Sequence, residues 1–144
     1  MNYEKASDFE INRTVAIALG MIVQDEFSEH LGFTERYHEQ YPNTVWAAKC
    51  DAIGNQSEAW EQFCPCNSWS DIGQLIEECG ISLININCTG NWFACSNVEF
   101  ETICMSPDGS DNGVSCFNAK NESYCTNPKR AAAICYLKMK ERGQ

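Results

Sequence analysis

The chain has 144 residues, of which 44% are hydrophobic, and it carries a formal net charge of −10 at neutral pH. This length and apolar content are enough for one domain whose hydrophobic core needs no stabilisation by disulfide bonds or metal ions. The negative charge repels nucleic-acid backbones and anionic membrane surfaces, so both are excluded as direct partners and basic partners are favoured.

The first predicted element is a helix that begins with a capping box. The Ser7 oxygen can accept the backbone N–H of Glu10, and the Glu10 carboxylate can reach back to the Ser7 N–H. Apolar side chains of residues 11 to 19 then fall on one face, and Gly20 supplies a left-handed end. The apolar residues between positions 21 and 43 follow no regular helical or strand spacing, so this segment is predicted to form a loop with short elements.

The central part of the chain predicts two weak strands followed by its clearest helix. Residues 44 to 50 are compatible with a strand, and residues 58 to 63 alternate polar and apolar side chains imperfectly. Apolar side chains within residues 72 to 79 then recur at i, i+3, i+4 and i+7, and Gly80 follows them.

The last part of the chain predicts a hairpin, one more strand and a closing helix. Residues 81 to 87 and 92 to 101 form a predicted antiparallel hairpin, and residues 114 to 124 supply the extra strand. Asn127 is expected to cap the last helix with Pro128 in its first turn. The predicted buried stripe of this helix is Ala132, Cys135, Tyr136 and Met139.

This order of elements predicts an α+β fold. The simplest arrangement of these elements is an antiparallel β-sheet covered by about three helices, in a single domain over residues 1 to 144.

The cysteines are interpreted together with the N-terminal sequence. Residues 1 to 10 are acidic and polar, and the longest apolar run is residues 131 to 137, so neither an export signal nor a membrane span is predicted. The ten cysteines are therefore expected to be thiols of a reducing compartment, mostly in the core, rather than disulfides.

No catalytic constellation can be read in the sequence. It contains no phosphate loop, dinucleotide fingerprint, nucleophile elbow or zinc-protease helix. Its two histidines, His30 and His38, leave little general-base chemistry near neutral pH. We therefore expect a protein that is not an enzyme and acts by binding.

Two segments resemble metal sites only weakly. Cys64-Pro-Cys66 lacks the usual zinc-knuckle spacing and a second close pair, so free thiols at a turn are favoured over a zinc or thiol-based protein. Residues 108 to 113 lack the alternating carboxylates of a calcium loop and are predicted to be a turn. No metal and no cofactor is predicted.

Negative charge is concentrated in a central window. Residues 51 to 119 contain ten carboxylates and no lysine or arginine. This window is either a solubilising surface or an acidic face for a basic partner. The carboxylates predicted to contact a partner protein are Asp51, Glu58, Glu61, Glu99, Glu101, Asp108 and Asp111.

An alternative site would bind a nucleotide-type small molecule. Exposed indoles offer stacking faces, and cationic groups or the N-terminus of the last helix could bind phosphate. Packing in the core is the competing interpretation for the tryptophans. The residues of this alternative site are Trp69, Trp92, Asn127, Lys129 and Arg130.

Three blocks of the sequence carry a family resemblance. They are residues 1 to 12, the central Pro65-Cys-Asn-Ser-Trp-Ser-Asp with Ile76 and Gly80-Ile-Ser-Leu, and the closing Asn127-Pro-Lys-Arg-Ala-Ala-Ala-Ile. In this order they resemble the NinX-like proteins of tailed bacteriophages and, more distantly, the phage α-β-α sandwich domains. The stretch from Cys88 to Cys125 lies outside the resemblance.

The resemblance implies a phage accessory protein in the host cytoplasm and brings no catalytic residues to this chain. By analogy with small acidic phage proteins, we expect it to inhibit a host antiviral defence system, such as CRISPR or a nuclease, by binding a host protein with a basic surface. Sequestration of a nucleotide signal is the alternative. The hydrophobic residues could equally complete a homodimer interface.

Overall fold

The computed structural model describes residues 1–24, 43–86, 90–102 and 114–143, with the backbone alone for residues 97–102 and 114–118. Three helices lie in this part of the chain: α1 (Asp8–Ala18), α2 (Trp69–Cys79) and α3 (Pro128–Glu141). Its strands are β1 (Ile22–Val23), β2 (Trp46–Ala48), β3 (Glu61–Gln62), β4 (Ser82–Asn85), β5 (Trp92–Thr102) and β6 (Val114–Cys125). The predicted α+β class is confirmed. His30, His38, Asp108 and Asp111 lie outside the described residues.

The start of α1 is the predicted capping box. The Glu10 N–H donates to Ser7 Oγ at 3.2 Å, and the Ser7 N–H donates to Glu10 Oε2 at 2.7 Å. These bonds from Ser7 to the ionised carboxylate lower the pKa of Glu10. The helix ends at Leu19, and Gly20 follows with φ of 77°, a left-handed conformation that is easily adopted without a Cβ.

The described strands form two antiparallel sheets rather than the one predicted. Strands β1, β2 and β3 make the first sheet in that order, and β4, β5 and β6 make the second. Strand β1 lies in the segment predicted as a loop with short elements, where two consecutive buried residues are too few to show a period. The predicted hairpin is confirmed: Leu83 is paired with Ala94 and Ile84 with Phe93.

More residues of helix α3 are buried than the four of its predicted buried stripe. Residues 131 to 137 are all buried, because α3 contacts α1 and α2 as well as the three strands of the second sheet. The run of three alanines from Ala131 lets neighbouring elements approach closely. The same core includes Ala47 of the first sheet and Ala94 of the second, so both sheets share it. None of the described helices is long and apolar enough to cross a membrane.

Candidate functional site

Helix α2 forms one wall of the candidate site, and the turn that joins β3 to α2 positions this helix. The N–H groups of Asn67 and Ser68 both donate to the Cys64 carbonyl at 2.9 Å, which closes the turn. The backbone N–H of Cys64 donates to Asp71 Oδ2 at 2.9 Å, so the turn is tied to the first turn of α2. Burial first, and then the nearby Asp71 carboxylate, raises the pKa of the Cys64 thiol.

Helix α2 has two adjacent faces with different roles. Ile72 and Leu75 are buried in the core, and the helix ends at Gly80, which has φ of 64°. The neighbouring face carries Asp71, Gln74 and Glu78, which lie at i, i+3 and i+7. Gln74 Nε2 donates to Glu78 Oε1 at 2.7 Å and so orients that carboxylate.

This face of α2 borders a cleft of about 430 Å³, within the size range of binding pockets. The end of α1 forms a second wall with Leu19, Gly20 and Met21. The first sheet forms the third wall; its lining residues are Lys49, Cys50, Glu61, Gln62 and Phe63. The Cys50 thiol donates to the Gly20 carbonyl at 2.9 Å and joins the second and third walls.

The cleft is net negative among its described lining residues. Three carboxylates line it, those of Glu61, Asp71 and Glu78, against the single ammonium of Lys49. Lys49 Nζ lies 3.9 Å from Glu58 Oε2, and both side chains are largely exposed. Such an exposed ion pair is weak, about 0.2–1 kcal/mol, so it leaves Lys49 able to move.

The structure distributes the predicted contact carboxylates over several places. Glu61 lines the cleft, and Glu58 forms an ion pair with Lys49, which also lines it. Asp51 has a structural role, because its Oδ1 accepts the N–H groups of Ile53 and Asn55 in a turn. Glu99 and Glu101 belong to β5 in the second sheet, opposite residues 118 and 116 of β6.

Sequence reasoning missed two carboxylates of the cleft. Asp71 and Glu78 lie inside the predicted acidic window but were not among the predicted partner contacts. Their separation of seven residues, two helical turns, was the available signal that they share one face of α2. That Glu61 lines the same cleft as this face is decided by the tertiary structure.

All residues of the alternative site except Trp92 lie where the N-termini of the three helices converge. Asn127 Oδ1 accepts the N–H groups of Lys129 and Arg130, and its Nδ2 donates to the Cys66 carbonyl at 2.7 Å. Arg130 forms an ion pair with Asp8 at the start of α1. These polar groups are therefore engaged within the fold.

Two residues of the alternative site do come together at an exposed position. Lys129 Nζ lies 4.7 Å from the ring centroid of Trp69, whose surface is 52% exposed. Trp92 lies elsewhere, half-buried at the start of β5, where it is paired with Asn85 and Cys125. The structure thus brings one indole and one ammonium together from this set.

The described cysteines are free thiols, and three of them, Cys66, Cys95 and Cys135, are buried. Burial raises the pKa of Cys66 to about 12 and that of Cys135 to about 12. Thiols that stay protonated are poor nucleophiles and poor metal ligands. Within the described ranges, no three His, Cys, Asp or Glu side chains are grouped so that they could hold a metal ion.

The three blocks that carry the family resemblance meet in the fold. Asn12 Oδ1 in the first block accepts the Cys66 N–H at 2.9 Å, and the Cys66 carbonyl accepts the bond from Asn127 in the third.

A family model described as Bacteriophage P22, NinX matches residues 2–140, including the stretch from Cys88 to Cys125. Neither the curated proteins nor the solved structures include a match to this chain. The match over nearly the whole length shows that the chain belongs to the bacteriophage P22 NinX family.

Proposed function

We propose that this chain is a phage accessory protein without catalytic activity that binds a host protein with a basic surface in the host cytoplasm. By occupying that surface it inhibits a host antiviral defence system, such as a nuclease or a CRISPR component. The observation that carries the proposal is the convergence of Glu61, Asp71 and Glu78 on one cleft in a chain of net charge −10.

Electrostatics support binding of this kind. Carboxylates from two separate elements, β3 and α2, face the same concave space, and the chain as a whole attracts basic proteins over long range. A basic groove that normally holds a nucleic-acid backbone is the complementary surface. An acidic protein that occupies such a groove would compete with the nucleic acid for it.

The proposal is tested by affinity capture from lysate of phage-infected host cells. The tagged wild-type chain is the bait, and washes at about 0.01 M and about 0.15 M salt shorten the Debye length from about 30 Å to about 8 Å. We expect a basic host protein that is retained at low salt and progressively released at higher salt. The purified partner should then lose its activity when the chain is added.

A charge-reversed bait separates the electrostatic contribution from other binding. Glu61→Lys combined with Glu78→Lys reverses two carboxylates of the cleft and should weaken capture. A partner held equally at both salt concentrations would refute electrostatic binding. Failure to capture any host protein with the wild-type chain would refute the proposed function.

The contact between Lys129 and Trp69 favours one second candidate, the binding of a nucleotide-type small molecule. The exposed indole could stack on a base while the ammonium approaches a phosphate. A thermal-shift panel of nucleotides and cyclic dinucleotides tests it, since a ligand that binds only the folded chain raises Tm. A shift abolished by Trp69→Ala supports this candidate, and a uniformly null panel refutes it.

A further inference from the structure

The acidic cleft also has apolar walls. Leu19 just after α1 is 39% exposed, and Met21, Phe63 and Leu75 line the same space from three separate segments of the chain. An exposed leucine beside three carboxylates is the pattern expected where a partner contributes both charge and apolar area. A surface that served solubility alone would gain nothing from an apolar floor.

We propose that this cleft receives a lysine or arginine side chain, together with an adjacent apolar side chain, from a basic segment of the partner protein. The inference rests on the proposed function and names the part of the surface that recognises the partner. Lysine and arginine have long aliphatic stems that can lie on an apolar surface while the charged head group stays at a polar rim. The cleft offers both surfaces within one space.

The carboxylates of the cleft differ in how far they are engaged. Asp71 accepts the backbone N–H of Cys64 at 2.9 Å, and Glu78 is oriented by Gln74 at 2.7 Å. Glu61 makes no ion pair and no side-chain hydrogen bond within the described parts of the chain. Glu61 and Glu78 are therefore the carboxylates that an incoming cation would meet, and Asp71 mainly holds the wall in place.

The geometry favours an organic cation on a side chain over a metal ion. No cluster of ligating side chains suited to a metal is found in the described residues, whereas a cleft of about 430 Å³ is large enough for side chains. Lys49, which lines the cleft, is the competing cation, and its ion pair with Glu58 is largely exposed. Because this exposed ion pair is weak, Lys49 can move and need not block the incoming head group.

A second space in the described part of the chain is lined by three cations. Lys120, Lys138 and Arg142 line a space of about 560 Å³ together with Glu122 and Glu141. This space shares no lining residue with the acidic cleft. These three cations therefore do not line the acidic cleft, whose described lining residues remain net negative.

Two matched pairs of variants test the proposal. Glu78→Lys reverses a charge inside the cleft, and Glu77→Lys makes the same change on the same helix at a residue that does not line it. Leu19→Gln removes the exposed apolar contact, and Ile17→Gln does so at a residue of similar exposure outside the cleft. Glu61→Lys is a second reversal on another element, and circular dichroism confirms that each variant is folded.

The probe is a fluorescein-labelled peptide of alternating arginine and leucine, and fluorescence anisotropy measures its Kd. We expect Glu78→Lys and Glu61→Lys each to raise Kd about tenfold, since each loses one attraction and gains one repulsion, while Glu77→Lys changes it by less than about threefold. Leu19→Gln should raise Kd more than Ile17→Gln. The same peptide with citrulline in place of arginine should bind far more weakly.

Several results would overturn the inference. These are no binding of the peptide to the wild-type chain, equal effects of the two variants in each pair, or equal binding of the citrulline peptide. Spermidine that bound tightly where the peptide did not would show a small-molecule cation site instead. In the lysate experiment, equal capture of a partner by the wild-type chain and by Glu78→Lys would refute the cleft as the binding site but not the proposed function. If no partner were captured, the proposed function itself would be refuted.

Discussion

Arg130, near the start of α3, forms an ion pair with Asp8, the first residue of α1, across 122 positions of sequence. The same guanidinium donates to the Ala6 carbonyl at 2.6 Å and to the Tyr3 carbonyl at 3.0 Å. One planar group thus holds the segment that precedes α1 against the central helix. Lysine cannot reproduce this, because its ammonium lacks the fixed fork of donors.

Replacing Arg130 should destabilise the fold. Arg130→Ala removes an ion pair and two charge-assisted bonds to carbonyls, and we expect it to lower the free energy of unfolding by about 2 to 3 kcal/mol. Arg130→Lys should recover only part of the loss. Urea unfolding measures the change, with Lys129→Ala as the neighbouring control, which should cost at most about 1 kcal/mol. Equal losses for the two alanine variants would contradict this role of Arg130.

Asn127 combines two roles that substitution can separate. Its oxygen caps α3, and its amide nitrogen donates to the Cys66 carbonyl at 2.7 Å. Asn127→Ala should lower stability by about 1 to 2 kcal/mol, because it loses both the cap and the donor. Asn127→Ser retains a capping oxygen and should lose less. If the serine and alanine variants melted at the same temperature, the cap would contribute nothing.

Glu10 should give the chain an acid-sensitive contribution to stability. Its pKa is lowered below the ordinary 4.5 by the bonds from Ser7, so its stabilising effect is present above about pH 4.5 and is lost as pH falls below that value. Glu10→Gln can keep the hydrogen bond but cannot titrate. Melting temperatures of wild type and Glu10→Gln should therefore converge on acidification. A difference that stayed constant with pH would rule out this linkage.

The buried thiols should resist modification in the native state. Burial raises the pKa of Cys66 and Cys135 to about 12, so iodoacetamide should leave both unlabelled near pH 8 and label them once the chain is unfolded. Peptide mass mapping measures this. Labelling of Cys66 at equal rates in the native and unfolded chain would contradict its burial.

The same pKa shifts predict a loss of stability in alkali. Below about pH 9 these thiols are neutral in both states, and their contribution to stability is fully present. As pH rises from about 9 toward about 12, only the unfolded chain ionises them, so the free energy of unfolding falls. Cys66→Ala should reduce that slope, which urea titrations at increasing pH would measure. An unchanged slope would exclude Cys66 as a contributor.

Local signals predicted much of the secondary structure. The capping box at Ser7, the left-handed glycines at 20 and 80, and Asn127 before Pro128 all mark helix ends by chemistry within a few residues. The hairpin of β4 and β5 followed from alternation over neighbouring residues. Strand β1 could not be found this way, because a two-residue strand is defined only by its partner β2.

The sequence by itself determined the acidic window, the helix ends and the family resemblance, since each depends on residue type at short spacing. Only the tertiary structure decided that Glu61 of β3 and Glu78 of α2 share a cleft, and that Arg130 is committed to Asp8. The tertiary structure also decided that α3 is buried on nearly all sides. The physical reason is that these relations join residues far apart in the chain, and the packing of one shared core sets their distances.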